Sequence, residues 1–274
     1  MRKDIIAEKQ DMTYLSWTKL RRSSGTAGSF LKAYYELGGK KMYCKLSDFD
    51  VFDGIIGHEC VNELIADRLL SVLGVEHLSY TLIYADVEVY EKRYETWLCV
   101  SEDFKRPGES KIALDAYYQA ERLEGELPLA FCVRQGWEDY LYRMIAVDFL
   151  ILNRDRHGAN IEVLRDSKER TVRLASLFDH GLSFMCRCHD SSEIEKFDVM
   201  GDLPVQSFVG SRSAGKNLEL IPKDRMPDFK PLKESDKDII LEGLDAVLPA
   251  AHLDKIWKMI WGRWKAYEDF CHKG

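Results

Sequence analysis

The sequence lacks any apolar run long enough to cross a membrane. Nowhere in its 274 residues does an uninterrupted apolar stretch approach the ~18 residues that a spanning helix needs. Residues 1–17 carry charges every few positions and have no apolar core of signal-peptide length. These absences argue against a membrane-spanning helix and against a signal peptide. We therefore expect a soluble, cytoplasmic protein with no membrane span.

A disulfide framework and an excess of positive charge are also missing. The seven cysteines are an odd number and are scattered along the chain, which favours a reducing compartment over secretion. The formal net charge is −7. Binding to a nucleic acid backbone depends on Lys and Arg, so direct nucleic acid binding is not expected.

What remains is the composition of an ordinary globular protein. Hydrophobic residues make up 46% of the chain and charged residues 31%, a balance that argues against wholesale disorder. There is no internal repeat and no low-complexity tract. The length allows one large domain or two lobes with a substantial core.

The first hundred residues are patterned mainly for strands. Residues 30–46 predict two strands joined at Gly38–Gly39, a hairpin signal. Residues 57–74 carry apolar side chains at helical spacing and end at a glycine, which predicts a helix. Further strands are predicted at 78–90 and 94–100.

After residue 100 the pattern becomes helical. Ser235 with Asp238 has the spacing of a capping box and predicts a helix start. Residues 160–164 and 171–178 predict a short hairpin, and residues 186–233 are irregular. Helices are predicted at 110–123, 137–152 and 253–270, the second of them largely apolar and buried.

This change of character predicts an α+β chain with two lobes. We expect a β-rich N-terminal lobe over residues 1–103 and an α-rich C-terminal lobe over residues 104–274, with the boundary near residues 100–110.

Three polar side chains follow apolar runs at an informative spacing. Asp155 and Asn160 lie five positions apart after one run, and Asp179 ends another. Protein kinases use the same Asp-x4-Asn interval between a catalytic base and a metal ligand. With a small-residue loop at 23–29, a lysine on a strand and an acid on a helix, this is the set that phosphoryl transfer from ATP needs. Asn and Asp supply hard oxygen ligands for Mg2+.

These motifs resemble those of a known family. "DRHGAN" (155–160) followed by "FDHG" (178–181) is similar to the catalytic core of the HipA-like serine/threonine kinases, and to that of the phosphatidylinositol 3- and 4-kinases. The N-terminal half favours the HipA-like family. There, "GTAGSFLKA" (25–33) resembles the phosphate loop, "VNELIADRLLSVLGV" (61–75) the Asn-Glu-bearing helix, and "VSEDFKR" (100–106) the hinge.

The resemblance implies a two-lobed protein-kinase-like fold and a role for each catalytic residue. Asp155 would be the catalytic base, and Asn160 and Asp179 the Mg2+ ligands. His157 has two open roles, assistance in proton transfer or a structural contact to the loop or to Asp179.

The resemblance also implies how ATP is held. Lys45 would pair with the phosphates and Glu63 would hold Lys45, although Glu59 lies one turn earlier on the same helix face and is an open alternative. The backbones of Glu102 and Phe104 would contact adenine. The phosphate loop would consist of Gly25, Thr26, Ala27, Gly28 and Ser29.

Members of this family phosphorylate their own phosphate loop, so the resemblance makes that loop a candidate for self-inhibition. The candidate acceptors there are Ser24, Thr26 and Ser29. In the irregular region, Ser211 and Ser213 are candidates for an activation or substrate segment.

We therefore expect an ATP- and Mg2+-dependent kinase that phosphorylates a protein Ser or Thr and itself. One alternative is a lipid or small-molecule kinase, since the DRH loop does not choose among acceptor hydroxyls. Another is a nucleotide-binding pseudokinase that regulates a partner. The resemblance also implies an antitoxin-like regulator as a partner. Few residues precede the loop, so the additional N-terminal subdomain of longer HipA toxins is not expected.

Overall fold

The computed structural model describes residues 4–18, 30–50 and 52–272. The strands within these ranges are β1 (Ile5–Asp11), β2 (Lys32–Leu37), β3 (Lys40–Leu46), β4 (Phe49–Asp50), β5 (Gly54–Ile55), β6 (Thr81–Val89), β7 (Lys92–Glu102), β8 (Glu109–Ala113), β9 (Asp155–Arg156), β10 (Glu162–Asp166), β11 (Thr171–Leu174) and β12 (Gln206–Ser207). The α-helices are α1 (Glu59–Leu73), α2 (Leu114–Glu121), α3 (Pro128–Arg134), α4 (Glu138–Ile151), α5 (Ser191–Lys196), α6 (Ala214–Leu218), α7 (Asp236–Leu241) and α8 (Ala250–His272).

A five-stranded sheet dominates the N-terminal part, in the order β1-β6-β7-β3-β2. The predicted β2–β3 hairpin is confirmed, and its turn places Gly38 and Gly39 at positive φ, which glycine adopts without strain. The sequence did not predict β1, which pairs in parallel with β6 at the sheet edge. Most of its side chains are exposed, so it carries almost no apolar alternation.

The sheet separates two apolar clusters and thereby places Lys45. Leu98 and Val100 face a small cluster on one side, whereas Cys99 belongs to the large cluster that contains α1. Lys45 pairs with Cys99 across the β3–β7 ladder. Directly opposite residues point to the same face of a sheet, so the Lys45 side chain lies on the α1 side.

The C-terminal part is mainly helical and is built around the predicted buried helix. This helix, α4, is followed by Leu152 in the left-handed conformation, and Asp155 comes three residues later. The prediction of a helix over 110–123 is wrong in its first turn. Residues 109–113 form β8, which pairs with β10, and the helix begins only at Leu114. Pairing with a distant strand here outweighs the local helical pattern.

The helix start predicted at Ser235 is confirmed, but the capping box predicted there is wrong, because the Ser235 side chain makes no capping hydrogen bond. Ser235 itself has right-handed helical dihedrals, φ −64° and ψ −18°, whereas an N-cap residue normally has extended ones. The Asp236 carboxylate instead accepts the Lys233 N–H at 2.7 Å. The start of α7 is therefore held by the Asp236 carboxylate and not by a capping box.

The described elements form the mixed α+β arrangement that the sequence predicts, with a β-rich part followed by a helical part. The lobe boundary between residues 103 and 104 remains a prediction. Within the described ranges, none of the helices combines the length and the apolar character needed to cross a membrane.

Candidate functional site

Lys45 lies between two carboxylates that come from distant parts of the chain. Its Nζ is 2.9 Å from Glu63 Oε1 on α1 and 2.7 Å from Asp179 Oδ1. All three side chains are largely buried. Burial alone would lower the pKa of Lys45, but Asp179 and Glu63 outweigh it and raise that pKa well above its usual value. Lys45 therefore stays a cation facing the space between β3 and α1.

The pKa of Asp179 is shifted in the opposite direction, chiefly by Lys45. Burial alone would raise the pKa of Asp179, but Lys45, helped by Lys32 and Arg156, holds it well below its usual range. Asp179 also adopts a left-handed backbone with φ 60°, which is uncommon outside glycine. Its N–H donates to Tyr80 Oη at 3.4 Å. An ionised carboxylate is thus fixed on a constrained backbone.

Helix α1 is fastened to the segment that carries Asp179. Glu63 Oε2 accepts the His180 N–H at 2.8 Å, so this carboxylate contacts Lys45 and the segment at once. Asn62 Nδ2 donates to the carbonyls of Gly181 and Ser183 at 2.9 and 3.1 Å. Of the two glutamates left open by the sequence, Glu63 is the one that contacts Lys45.

Glu59 has a different neighbour. Its Oε2 accepts the N–H of Asp48 at 3.0 Å, which fixes the loop between β3 and β4 against the start of α1. Burial raises the pKa of Glu59. Its contacts are those of a residue that holds this loop in place.

Asp155 and Asn160 lie side by side on the loop that follows α4. Asn160 Nδ2 donates to the Asp155 carbonyl at 2.8 Å and to its Oδ2 at 3.2 Å. The N–H of Asp155 donates to Asn153 Oδ1 at 3.1 Å. Since the amide nitrogen of Asn160 is used in this way, its Oδ1 faces away from Asp155 and is available as an oxygen ligand.

His157 lies beside Asp155. Its Nδ1 accepts the Ala159 N–H at 3.2 Å, and its Nε2 is 3.5 Å from Asp155 Oδ1. An imidazole that accepts through Nδ1 carries its proton on Nε2 when neutral. The ring is therefore oriented with its N–H toward the Asp155 carboxylate, and both roles predicted for it remain predictions.

No role was predicted for Arg156, which is fully buried at the centre of the site. Its guanidinium binds the Asp148 carboxylate of α4 through Nε and Nη2, at 3.1 to 3.2 Å. Its Nη1 donates to the carbonyls of Asn160 and Phe178 at 3.2 and 2.6 Å. One signal was present in the sequence: Asp148 is an acid inside an apolar helix, and a buried charge requires a partner.

A cavity of about 120 Å³ opens beside these residues, at the end of β7. Its lining includes Lys45, Tyr80, Glu102, Phe104 and Phe178. The Phe104 and Phe178 rings lie 5.3 Å apart, so the cavity has a wall of aromatic rings. A flat, partly apolar ligand fits such a lining.

The backbone of Glu102 points toward this cavity. The Asp103 N–H donates to the Lys41 carbonyl at 2.9 Å. Hydrogen-bonded and non-hydrogen-bonded pairs alternate along an antiparallel ladder, so the polar backbone groups of Glu102, which pairs with Met42, face away from β3. On that side β6 pairs with β7 only as far as Val100. These groups are placed to bind a ligand.

The predicted phosphate loop, with its five residues Gly25, Thr26, Ala27, Gly28 and Ser29, lies outside the described residues, as does Ser24. The chain is described again from Phe30, and Lys32 lines the cavity just after the loop. The place of the loop in the site remains a prediction.

Ser211 and Ser213 belong to a segment that runs beside the loop of Asp155 and Asn160. In this segment β12 pairs in parallel with β9, and Gln206 lies opposite Asp155. Ser213 Oγ accepts the Lys216 N–H and caps α6, and the N–H of Ser211 donates to Asn217 Oδ1 at 2.7 Å. Both serines are therefore engaged in local structure next to the loop of Asp155 and Asn160.

The donor set at the site matches a hard cation. Among the described residues, no group of three His, Cys, Asp or Glu side chains is arranged to hold a metal ion on its own. Asn160 and Asp179 instead belong to two segments that the Arg156 guanidinium joins through the backbone carbonyls of Asn160 and Phe178, and each carries a side-chain oxygen. Mg2+ is commonly bound by one or two carboxylates together with substrate phosphates and water. The residues present fit Mg2+ that arrives with a nucleotide.

Comparison with known proteins gives a structural match and no sequence match. No family model matches the chain, and no curated protein matches it. A solved structure of the proinflammatory kinase CtkA from Helicobacter pylori superposes with a TM-score of 0.60 at 14% identity, covering 96% of this chain and 97% of that one.

A second match is HipA from the Shewanella oneidensis MR-1 toxin–antitoxin system, solved with HipB and operator DNA. Its TM-score is 0.52 at 15% identity, covering 93% of this chain and 67% of that one. At such low identity these matches show the fold alone. They confirm the predicted fold class, and the chain accordingly has the kinase fold shared by HipA and CtkA.

Proposed function

We propose that this protein is an ATP-dependent serine/threonine protein kinase of the HipA-like type. One observation carries the proposal: Lys45 contacts Glu63 and Asp179 together, while Arg156 ties the Asp179 segment to the loop of Asp155 and Asn160. A phosphoryl-transfer site needs a fixed cation for the phosphates, oxygen ligands for a metal and a carboxylate for the acceptor hydroxyl. Lys45 would supply the cation, Asn160 and Asp179 the metal ligands, and Asp155 the carboxylate for the acceptor hydroxyl.

The cavity at the end of β7 takes the adenine ring in this proposal. The backbone groups of Glu102, and those of Phe104 beyond it, bind the edge of the ring, and the Phe104 and Phe178 rings contact its faces. The triphosphate then extends toward Lys45, whose ammonium binds the phosphate oxygens. Glu63 keeps Lys45 in position.

Asn160 and Asp179 would hold Mg2+ by their oxygen atoms. When bound, Mg2+ neutralises the negative charge of the phosphates as the γ-phosphoryl group leaves. Asp155 orients the acceptor hydroxyl and accepts its proton. Burial, together with the neighbouring Asp179, raises the pKa of Asp155, which makes it a better proton acceptor than an exposed aspartate.

The assignment of a protein acceptor depends on the likeness to HipA and CtkA, since the cleft by itself accepts any hydroxyl of suitable reach. Autophosphorylation belongs to the same proposal, with Ser24, Thr26 and Ser29 as its acceptors. The HipA structure contains HipB, and by analogy we include a protein regulator of the antitoxin type among the partners.

The first experiment measures the intact mass of the purified protein after incubation with ATP and Mg2+. We expect added phosphate on the wild type and none on Asp155→Asn, which keeps the size of the side chain but cannot accept the proton. Asp269→Asn, at an exposed position on α8, is the matched control and should be phosphorylated like the wild type. Peptide mapping then identifies the modified residue.

The remaining outcomes separate the alternatives. Phosphate on a lipid or a small alcohol, with none on any protein, would replace the protein kinase by the lipid or small-molecule kinase. ATP binding without turnover would indicate a pseudokinase. Equal phosphorylation of the wild type and Asp155→Asn would contradict the role of Asp155.

A further inference from the structure

Asn62 lies directly before Glu63 on α1 and is fully buried. Its amide nitrogen donates to two carbonyls of the turn that follows Asp179, that of Gly181 at 2.9 Å and that of Ser183 at 3.1 Å. The two N–H groups of the amide allow one hydrogen bond to each carbonyl. Asn62 therefore joins α1 to this turn at two points.

The oxygen of the same amide shows which of its atoms are needed. Asn62 Oδ1 is buried and has no hydrogen-bond partner among the described residues, which costs free energy. A leucine at this position would avoid that cost, but it would leave the Gly181 carbonyl, which accepts no other hydrogen bond from the described residues, without a donor. The Ser183 carbonyl also accepts the Cys186 N–H at 3.1 Å. The N–H groups of Asn62 thus account for an amide here, and the Gly181 carbonyl depends on them most.

The turn that Asn62 contacts has an unusual backbone. Asp179 and Phe184 at its two ends have φ values of 60° and 53°, in the left-handed region that residues other than glycine rarely adopt. Such a backbone persists where the surrounding contacts fix it, and it is frequent at functional sites. Here Glu63 accepts the His180 N–H, and Asn62 donates to the two carbonyls. Both contacts come from α1.

The chain before Asp179 is fixed by other residues. Arg156 donates to the Phe178 carbonyl, and the Leu177 carbonyl accepts a backbone N–H from the segment before β6 at 2.8 Å. Asn62 acts only after Asp179, and it is not one of the described residues that line the cavity at the end of β7. Asn62 can therefore influence Asp179 without contacting the cavity.

We propose that Asn62 is a positioning residue for Mg2+, because it fixes the backbone that orients the Asp179 carboxylate. The proposal rests on the proposed function, which makes Asp179 a metal ligand. Replacing a residue that orients a metal ligand commonly weakens metal binding by about 10–100-fold. Asn62 thus acts on the metal site, while the neighbouring Glu63 acts mainly on Lys45.

Direct binding of Mn2+, a paramagnetic substitute for Mg2+, tests the proposal. Electron paramagnetic resonance of the full chain with a non-hydrolysable ATP analogue measures the Mn2+ affinity. We expect Asn62→Leu, which removes both N–H groups at similar size, to weaken Mn2+ binding by about 10-fold or more. Binding of the same analogue without metal, measured by calorimetry, should be unchanged, because Asn62 does not line the cavity. A general disturbance of the fold would weaken both.

Hydrogen exchange of the metal-free protein gives a readout that does not involve a ligand. The amides of residues 179–184 should exchange faster in Asn62→Leu than in the wild type, because the turn opens more easily without its two donors. The amides of β7 should exchange as in the wild type.

Ser183→Ala is the matched control. Ser183 is fully buried and its Oγ has no partner among the described residues. The change removes a buried polar atom from the same turn and keeps the carbonyl that Asn62 contacts, so Mn2+ affinity and exchange should stay at wild-type values. Asn62→Ser, which has one donor in place of two, should weaken Mn2+ binding in the same direction as Asn62→Leu. It carries the test if the leucine variant does not fold.

The outcomes separate this proposal from the proposed function. Equal Mn2+ affinity of the wild type and the Asn62 variants, or an equal loss of metal and metal-free nucleotide binding, would overturn the positioning role and leave the kinase assignment in place. Selectively weaker Mn2+ binding by the variants of a chain that transfers no phosphate would support the role of Asn62 and contradict the kinase. A wild type that binds no Mn2+ with the analogue would overturn both.

Discussion

Arg156 Nη1 donates to the carbonyl of Phe178 at 2.6 Å, although 22 positions separate the two residues in the chain. The same guanidinium binds Asp148 on α4 and the carbonyl of Asn160. The loop that carries Asp155 and the segment that carries Asp179 are thus connected through one buried cation. The geometry of the site depends on this connection.

We expect Arg156→Met to destabilise the protein by about 3 kcal/mol, because the buried Asp148 carboxylate loses its partner. Denaturant unfolding measures this change. Arg93→Met is the control: Arg93 is 77% exposed and lies 3.7 Å from Glu88, and an exposed pair of this kind contributes less than about 1 kcal/mol.

The double variant Arg156→Met with Asp148→Leu identifies the cause. It should recover part of the lost stability, since the uncompensated charge is then gone. Phosphoryl transfer should nevertheless remain impaired in the double variant, because the contacts to Asn160 and Phe178 are not restored. Full recovery of transfer would show that Arg156 does not position the site.

Glu63→Gln should reduce the rate of phosphoryl transfer by about 100-fold, because a neutral amide holds the Lys45 ammonium poorly and preorganised charge is a large part of catalysis. Glu59→Gln is the matched variant on the same helix. Its amide oxygen can still accept the Asp48 N–H, so we expect a change of no more than a few-fold. Steady-state kinetics with ATP and Mg2+ distinguishes the two, and equal effects would contradict the assignment of Glu63.

Local patterns in the sequence were sufficient for most elements that carry the site. The hairpin at Gly38–Gly39, the helix of Glu63 and the buried helix before Asp155 follow from apolar periodicity and glycine signals. The interval between Asp155 and Asn160 was readable in the sequence because both residues lie on one loop, and this interval pointed to phosphoryl transfer.

Contacts between distant segments were not predictable in this way. The strand β8 looks helical by itself and becomes a strand because β10 pairs with it. The choice between Glu63 and Glu59 depends on where α1 packs against β3, since both glutamates lie on one helix face. The bond from Arg156 to Phe178 connects two loops whose proximity no single segment encodes.

Gly158→Ala should disturb the loop that carries Asp155 and Asn160. A Cβ atom there would lie 2.6 Å from Asp115 Cβ and 2.8 Å from Phe208 Cδ2. We expect a loss of about 1–3 kcal/mol in unfolding free energy, as for other overpacked sites. Gly215→Ala is the control: its Cβ would be 3.8 Å from Asp202, and an alanine in α6 should be neutral or stabilising by about 0.5 kcal/mol. Thermal or denaturant unfolding compares them, and equal stability of the two variants would contradict the close approach at Gly158.

His77 should make stability depend on pH. Its Nε2 lies 2.8 Å from Asp67 Oδ1 and its Nδ1 2.6 Å from the Val75 carbonyl, so both nitrogens act as donors when the ring is charged. Burial alone would lower the pKa of His77, but these hydrogen bonds outweigh it and raise that pKa. Because the pKa of His77 is raised in the folded protein, its contribution to stability is complete below the unfolded pKa of about 6.5 and is lost as the pH rises through the folded pKa.

The difference in unfolding free energy between the wild type and His77→Gln should therefore be largest in mild acid and shrink toward alkaline pH. His272→Gln, at an exposed position near the end of α8, is the control and should leave the pH profile of the wild type unchanged. A difference for His77→Gln that grows with pH would show that His77 is neutral in the folded protein.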